Sequence, residues 1–95
     1  MPPIKKIRCL LVDDEPKSAA VIAKWIKAMG HVCDLVGCAE SARKRLGGQS
    51  YDYALVDVKL KADEKDNDPD SGIGRALLQW IRREHAHLPV LLNVA

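Results

Sequence analysis

An α/β domain built on an open parallel sheet is the fold class this sequence predicts, and three observations predict it. Four short apolar segments alternate with three segments of helical periodicity. The apolar segments are nearly continuous, as in "CLLV" (9–12) and "ALV" (54–56), where a strand with one wet face would alternate. Between successive strands there is room for a helical crossover, the connection that parallel neighbours require.

The elements follow in order. Residues 7–12, "IRCLLV", form the first strand, buried on both faces. Pro16 suits the first turn of a helix. Ala19, Ile22, Ala23, Ile26 and Met29 then fall on one helical stripe, with Lys17, Lys24 and Lys27 off it, and Gly30 closes the helix. "HVCDLVG" (31–37) is the second strand. "AESARKRLGG" (39–48) is a short helix with Ala39, Ala42 and Leu46 inward and a glycine pair as its stop. "YDYALVDV" (51–58) is the third strand, apolar at its centre and running into Asp57. The polar, turn-rich "KLKADEKDNDPDSG" (59–72) is a loop. "IGRALLQWIRREHA" (73–86) is a helix with Ile73, Leu77 and Ile81 on one face, and "LPVLLNVA" (88–95) is the fourth strand.

Composition bounds the functions available. Ninety-five residues make one small domain, which buries about 60–65% of the surface its unfolded chain exposes. With two Trp, two Tyr and no Phe, the core must come from Val, Leu, Ile and Ala. Fifteen basic against thirteen acidic residues leave a net charge of +2, too balanced to indicate nucleic-acid or membrane binding. Cys9, Cys33 and Cys38 form no C-x-x-C pair, and an odd number cannot all be bridged, which points to buried thiols in a reducing cytoplasm. No apolar run approaches the length of a membrane span, and the one after the amino-terminal basic residues ends in acids, unlike a signal peptide.

The first strand drives straight into Asp13, Asp14 and Glu15, and the third ends at Asp57. A strand order of 2-1-3-4 makes these two strands neighbours, with the reversal of order between them, where open parallel sheets bind ligands. Asp13 and Asp14 then face Asp57 across one crevice. Two carboxylates about 4 Å apart repel by roughly 4 kcal/mol at an effective dielectric of 20. A hard divalent cation offsets this. Magnesium, with its oxygen ligands, fits better than zinc, for which no soft ligands converge. Helix capping and turn formation are the competing reading of these acids.

"LLVDDEP", "ALVDVKL", a Ser-Gly before the third helix and "LPVLL" entering a fourth strand together resemble a response-regulator receiver domain of two-component signalling. The likeness covers the chain up to its fourth strand. It implies a flavodoxin-like sheet over residues 1–95, truncated after the fourth strand. It further implies Asp57 as acceptor of a phosphoryl group from a sensor histidine kinase or histidine phosphotransfer protein. Asp14 is then similar to the direct Mg2+ ligand, Asp13 to one acting through water, and the Lys59 carbonyl to the backbone ligand. Such a protein is a cytoplasmic signalling domain and not a turnover enzyme. It would meet nucleic acid only through an output domain that these residues do not contain.

Departures from the pattern are specific. The family's hydroxyl residue near the end of the fourth strand corresponds to Val94, and Asn93, one residue earlier, lies on the opposite face of a strand. The fifth strand with its Lys, and the last helix, have no counterpart. The resemblance therefore implies a bare sheet face and strand edge, to be covered by a partner or a second copy. Lys61 stands where a Pro is common, and 14 residues run from Val58 to Ser71. The "DNDPDSG" within them is no EF-hand, since its Gly comes one place late and Leu77 occupies the position of the bidentate Glu. It reads as a solvated acidic loop. His31, His85 and His87 read as exposed loop or helix-end residues, Trp25 and Trp80 as packing residues, and "GIG" (72–74) as no phosphate loop. A pseudo-receiver acting as a phosphorylation-independent interaction module is the alternative. A phosphohydrolase is disfavoured by Lys59, where such enzymes place a second Asp.

Overall fold

The first and third strands of this chain are short aliphatic runs that lead into an aspartate, and the first two helices begin within four residues of the strand before them. A computed structural model of the chain describes residues 5–93. Its elements are β1 (Arg8–Val12), α1 (Pro16–Ala28), β2 (Val32–Val36), α2 (Ala39–Gly48), β3 (Tyr53–Asp57), α3 (Ser71–Glu84) and β4 (Val90–Asn93). All pairings are parallel and the order is β2-β1-β3-β4, as the sequence predicts. Leu10 lies opposite Ala54, and Val12 opposite Val36 and Val56. Side chains alternate along a strand, so Leu10, Val12, Ala54 and Val56 share one face, buried with Ala39, Ala42 and Leu46 of α2 and Leu77 and Ile81 of α3. On the other face Cys9 and Leu11 are buried, with Ala19 and Ile26 of α1. Each fully buried Leu or Val side chain contributes about 1.5–3 kcal/mol over its exposed state.

The α1 stripe departs from expectation at its far end. Met29 is 62% exposed and Trp25, expected to pack, is 66% exposed. With Val21 they form an outward row at i, i+4 and i+8. The helix rests on β1 and β2, which leaves this flank uncovered among the described residues. Met29 is also already past the helix, in its C-cap position, and Gly30 follows at φ 84°, a conformation that favours glycine. The sheet repeats the pattern: Leu91, level with Leu55 and Leu11 in register, is 61% exposed.

The segment between β3 and α3 is not a loosely solvated loop. Leu60 is fully buried, and its backbone exchanges hydrogen bonds with Asp70 at 3.3 and 3.0 Å, pinching the segment shut. Between them, the carbonyls of Lys61 and Ala62 accept from Ala39 and Glu40 N–H at 2.9 and 3.0 Å. These are donors that the start of α2 leaves unpaired, and Cys38 offers no side-chain cap. Asp66 Oδ2 accepts from Ala62 N–H, and Asp63 Oδ1 from the N–H groups of Lys65 and Asp66. The acids there build turns. At the end of the segment Asp70 Oδ1 accepts from Gly72 N–H at 2.7 Å, so α3 begins at Ser71, two residues before the apolar periodicity does. It also stops at Glu84, with His85 as its cap.

His31 also departs from expectation. It is half-buried, with Nδ1 2.7 Å from the Tyr53 hydroxyl. At the outer strand, half-buried Asp34 accepts from the Tyr51 hydroxyl at 2.7 Å and from Arg8 Nη1 at 3.1 Å. The Tyr51 bond above all, then Arg8 and Arg45, holds the Asp34 carboxyl below the usual carboxylate range against a smaller opposing effect of burial. A depressed folded value means that this contribution is present above the unfolded pKa and lost as pH falls through the folded one. Tyr51→Phe is therefore expected to lower stability by about 1.5 kcal/mol at pH 7. In denaturation curves the gap from wild type should narrow as Asp34 protonates; a gap of constant size down to pH 2 would refute the assignment.

Candidate functional site

β1 and β3 are register neighbours, with Val12 opposite Val56, so the residues that follow them, Asp13 and Asp57, emerge side by side at the carboxyl edge of the sheet. Asp13 extends the ladder by one more bond, its N–H donating to the Val36 carbonyl at 3.0 Å. Among the described residues it is the one charged side chain that is buried, at 4% exposure. Its Oδ1 accepts from Glu15 N–H at 2.9 Å and its Oδ2 from the Ser18 hydroxyl at 3.2 Å. Asp57 Oδ1 accepts from Lys59 N–H at 3.3 Å. Turn formation is thus a real part of what Asp13 and Asp57 do. Helix capping is not: Glu15 holds the N-cap position of α1 and no side chain caps it.

Carboxylate oxygens of Asp13, Asp14 and Asp57 all lie within 4.8 Å of one another. Asp14 and Asp57 are half-buried beside the buried Asp13. Burial, and next the negative charge of Asp13, push the Asp57 carboxyl above its ordinary range, while the Lys59 N–H pulls the other way. The donor set fits a hard divalent ion, being all oxygen and within reach of one centre, and no Cys or His among the described residues joins it.

The sequence brings these three acids to one place, and the structure agrees. Lys59 stands in the turn after β3, its N–H on Asp57. Val94 lies outside the described residues. Asn93 is the register partner of Asp57, and its carbonyl accepts from Val58 N–H at 3.1 Å. Together with Leu11, Ile22 and Leu55, Asn93 and Asp57 line a groove of about 300 Å³ beside the acids. Ser18 escaped the sequence reading. Its only signal was a hydroxyl one helical turn past the acid pair.

Comparison with known proteins adds the following. No family model matches the chain. The transcriptional regulatory protein TcrA of Mycobacterium tuberculosis is 29% identical over 92 residues, 97% of this chain and 33% of TcrA. A gliding motility regulatory protein of Myxococcus xanthus is 36% identical over 59 residues, 62% of this chain and 8% of its own. Among solved structures, the receiver domain of NtrX from Brucella abortus superposes with a TM-score of 0.75 at 27% identity, over 88% of this chain and 64% of that one. This is the fold of a response-regulator receiver domain. A second receiver, of the Francisella response regulator 1452, agrees at a TM-score of 0.75 and 21% identity, over 92% of this chain and 64% of its own. The chain spans about a third of the length of the TcrA relatives it matches. On the receiver fold, the acidic cluster occupies the edge where the strand order reverses, between β1 and β3. No described helix is long and apolar enough to cross a membrane.

Proposed function

We propose that residues 1–95 form one receiver unit of a two-component phosphorelay in the cytoplasm, with Asp57 as phosphoacceptor. The observation that carries this reading is the gathering of Asp13, Asp14 and Asp57 within 4.8 Å at the switch-point edge of a receiver fold. The donor is a phosphohistidine of a sensor kinase or phosphotransfer protein. An Asp57 carboxylate oxygen forms the new P–O bond as the P–N bond to the imidazole breaks, and the departing imidazole takes up a proton. Asp13, Asp14, Asp57 and the Lys59 carbonyl would hold Mg2+, which when bound neutralises charge on the phosphoryl oxygens. Asp13 is fixed by Glu15 N–H and Ser18, so it enters the site already oriented. The Lys59 N–H steadies the Asp57 carboxylate. Phosphorylation then adds a charge of about −1.5 to −2 at this edge. The domain changes state and does not turn over substrate.

The uncovered row of Val21, Trp25 and Met29, with Leu91, favours a covering partner or a second copy. That same surface supports the alternative, an interaction module that works without phosphorylation. One experiment separates the two. Protein incubated with Mg2+ and a small phosphodonor is expected to gain the mass of one phosphoryl group, and Asp57→Asn to gain none. No gain by the wild type and no Mg2+ binding would leave the interaction module as the reading. Repeated release of phosphate would mark a hydrolase instead.

A further inference from the structure

Gly74 is buried in α3, four residues past the cap Asp70. A methyl group on its Cα would stand 2.1 Å from the Val58 carbonyl oxygen, 2.8 Å from its carbonyl carbon and 2.9 Å from the Asp57 carbonyl oxygen. All three are backbone atoms, so no side chain can swing away to make room. The neighbouring Gly72 is different: a methyl there would meet only the Asp70 side chain, at 3.3 Å. Gly47 and Gly48 face open space.

The position of this contact gives it meaning. The Val58 carbonyl and the Lys59 N–H belong to one planar peptide unit. Behind that unit lies the backbone of α3 at Gly74; in front, its N–H bonds Asp57 Oδ1 at 3.3 Å. We infer that Gly74 is a positioning residue for the acidic cluster, setting the Val58–Lys59 peptide and through it the Asp57 carboxylate and the Lys59 carbonyl. The "GIG" stretch, which is no phosphate loop, thereby acquires a task. Where it concerns magnesium, this inference rests on the receiver reading; where it concerns the peptide, it stands on the contact alone.

The test is Gly74→Ala, followed by the Lys59 amide resonance in ion-free protein and by Mg2+ affinity. The amide is expected to shift and the affinity to fall about tenfold or more, the loss typical when a group that orients a metal ligand is disturbed. Ile81→Val, which trims a buried α3 residue on the core side, serves as the comparator for lost stability alone. It is expected to lower the melting temperature while leaving amide and affinity in place. A Gly74→Ala protein with an unmoved Lys59 amide and affinity within about twofold of wild type would overturn the inference. If wild type binds no Mg2+, the receiver reading fails and the amide alone decides: a shift supports Gly74 as positioner, no shift overturns it. Should Gly74→Ala not fold, Asp70→Ala releases the cap of α3 without adding atoms, and Asp70→Asn keeps a capping side chain without the charge. The Lys59 amide is then expected to move in the Ala variant only, and coincident resonances in both would overturn the proposal.

Discussion

Asp57→Asn should melt higher than wild type at pH 7 in the absence of divalent cations. The acidic cluster stabilises its folded state only with a proton or a cation present. Burial and the charge of Asp13 raise the Asp57 pKa on folding. A group whose folded pKa is raised contributes stability that is complete below its unfolded value and lost as pH rises through the folded one. At pH 7 that contribution is gone and the repulsion remains. Asn keeps the shape and an acceptor for Lys59 N–H while removing one of three charges. A gain of about 1 kcal/mol, a fraction of the roughly 4 kcal/mol between two close charges, corresponds to about 4–8 °C in a domain of this size. The advantage should shrink on acidification toward the ordinary carboxylate range. It should shrink as well on adding Mg2+, which stabilises wild type by mass action more than the variant. An Asn variant that melts below wild type in chelator at pH 7 would mean that Asp57 is held by favourable contacts, and that the acids do not form a strained site awaiting an ion.

Much of this was legible in the sequence because the signals were local and periodic. Nearly continuous apolar strands, helical stripes and the glycine after α1 were enough to give the element order and the parallel sheet. The acids were legible because Asp13 and Asp57 each follow an apolar strand directly, and parallel register carries both to one edge. What failed depended on neighbours. Trp25 and Met29 are apolar and fall at helical spacing, but whether such residues are buried depends on what lies over the helix, and α1 here is covered on one side only. Gly74 stands in sequence only as part of a "GIG" stretch that is no phosphate loop; the backbone of Val58 behind it is what gives it a role. Asn93 shared no visible motif with Asp57 and meets it through β3–β4 register. His31 reads as a loop residue until β3 brings Tyr53 to within 2.7 Å.

Leu60 is the least conspicuous of these long-range residues, and Leu60→Ala carries the largest expected loss of stability. In sequence it is one apolar residue among Lys, Asp and Glu. In the structure it is fully buried in the cluster formed by α2, α3 and the sheet. Removing its side chain forfeits the transfer free energy and leaves a cavity, a loss of about 2–5 kcal/mol. For a domain of this size that is a large part of the total stability, about 5–15 kcal/mol in native proteins. The loss should also be uneven. The bond pair between Leu60 and Asp70 closes the acidic excursion, and the Lys61 and Ala62 carbonyls hold the first turn of α2. With its anchor gone, the excursion should detach before the sheet melts. Amide hydrogen exchange of Ala39 and Glu40 should then accelerate far more than that of Leu10 or Val56, whose partners lie in the sheet. Equal acceleration at all four amides would show that Leu60 contributes volume alone, with no hold on the segment between the acidic edge and α2.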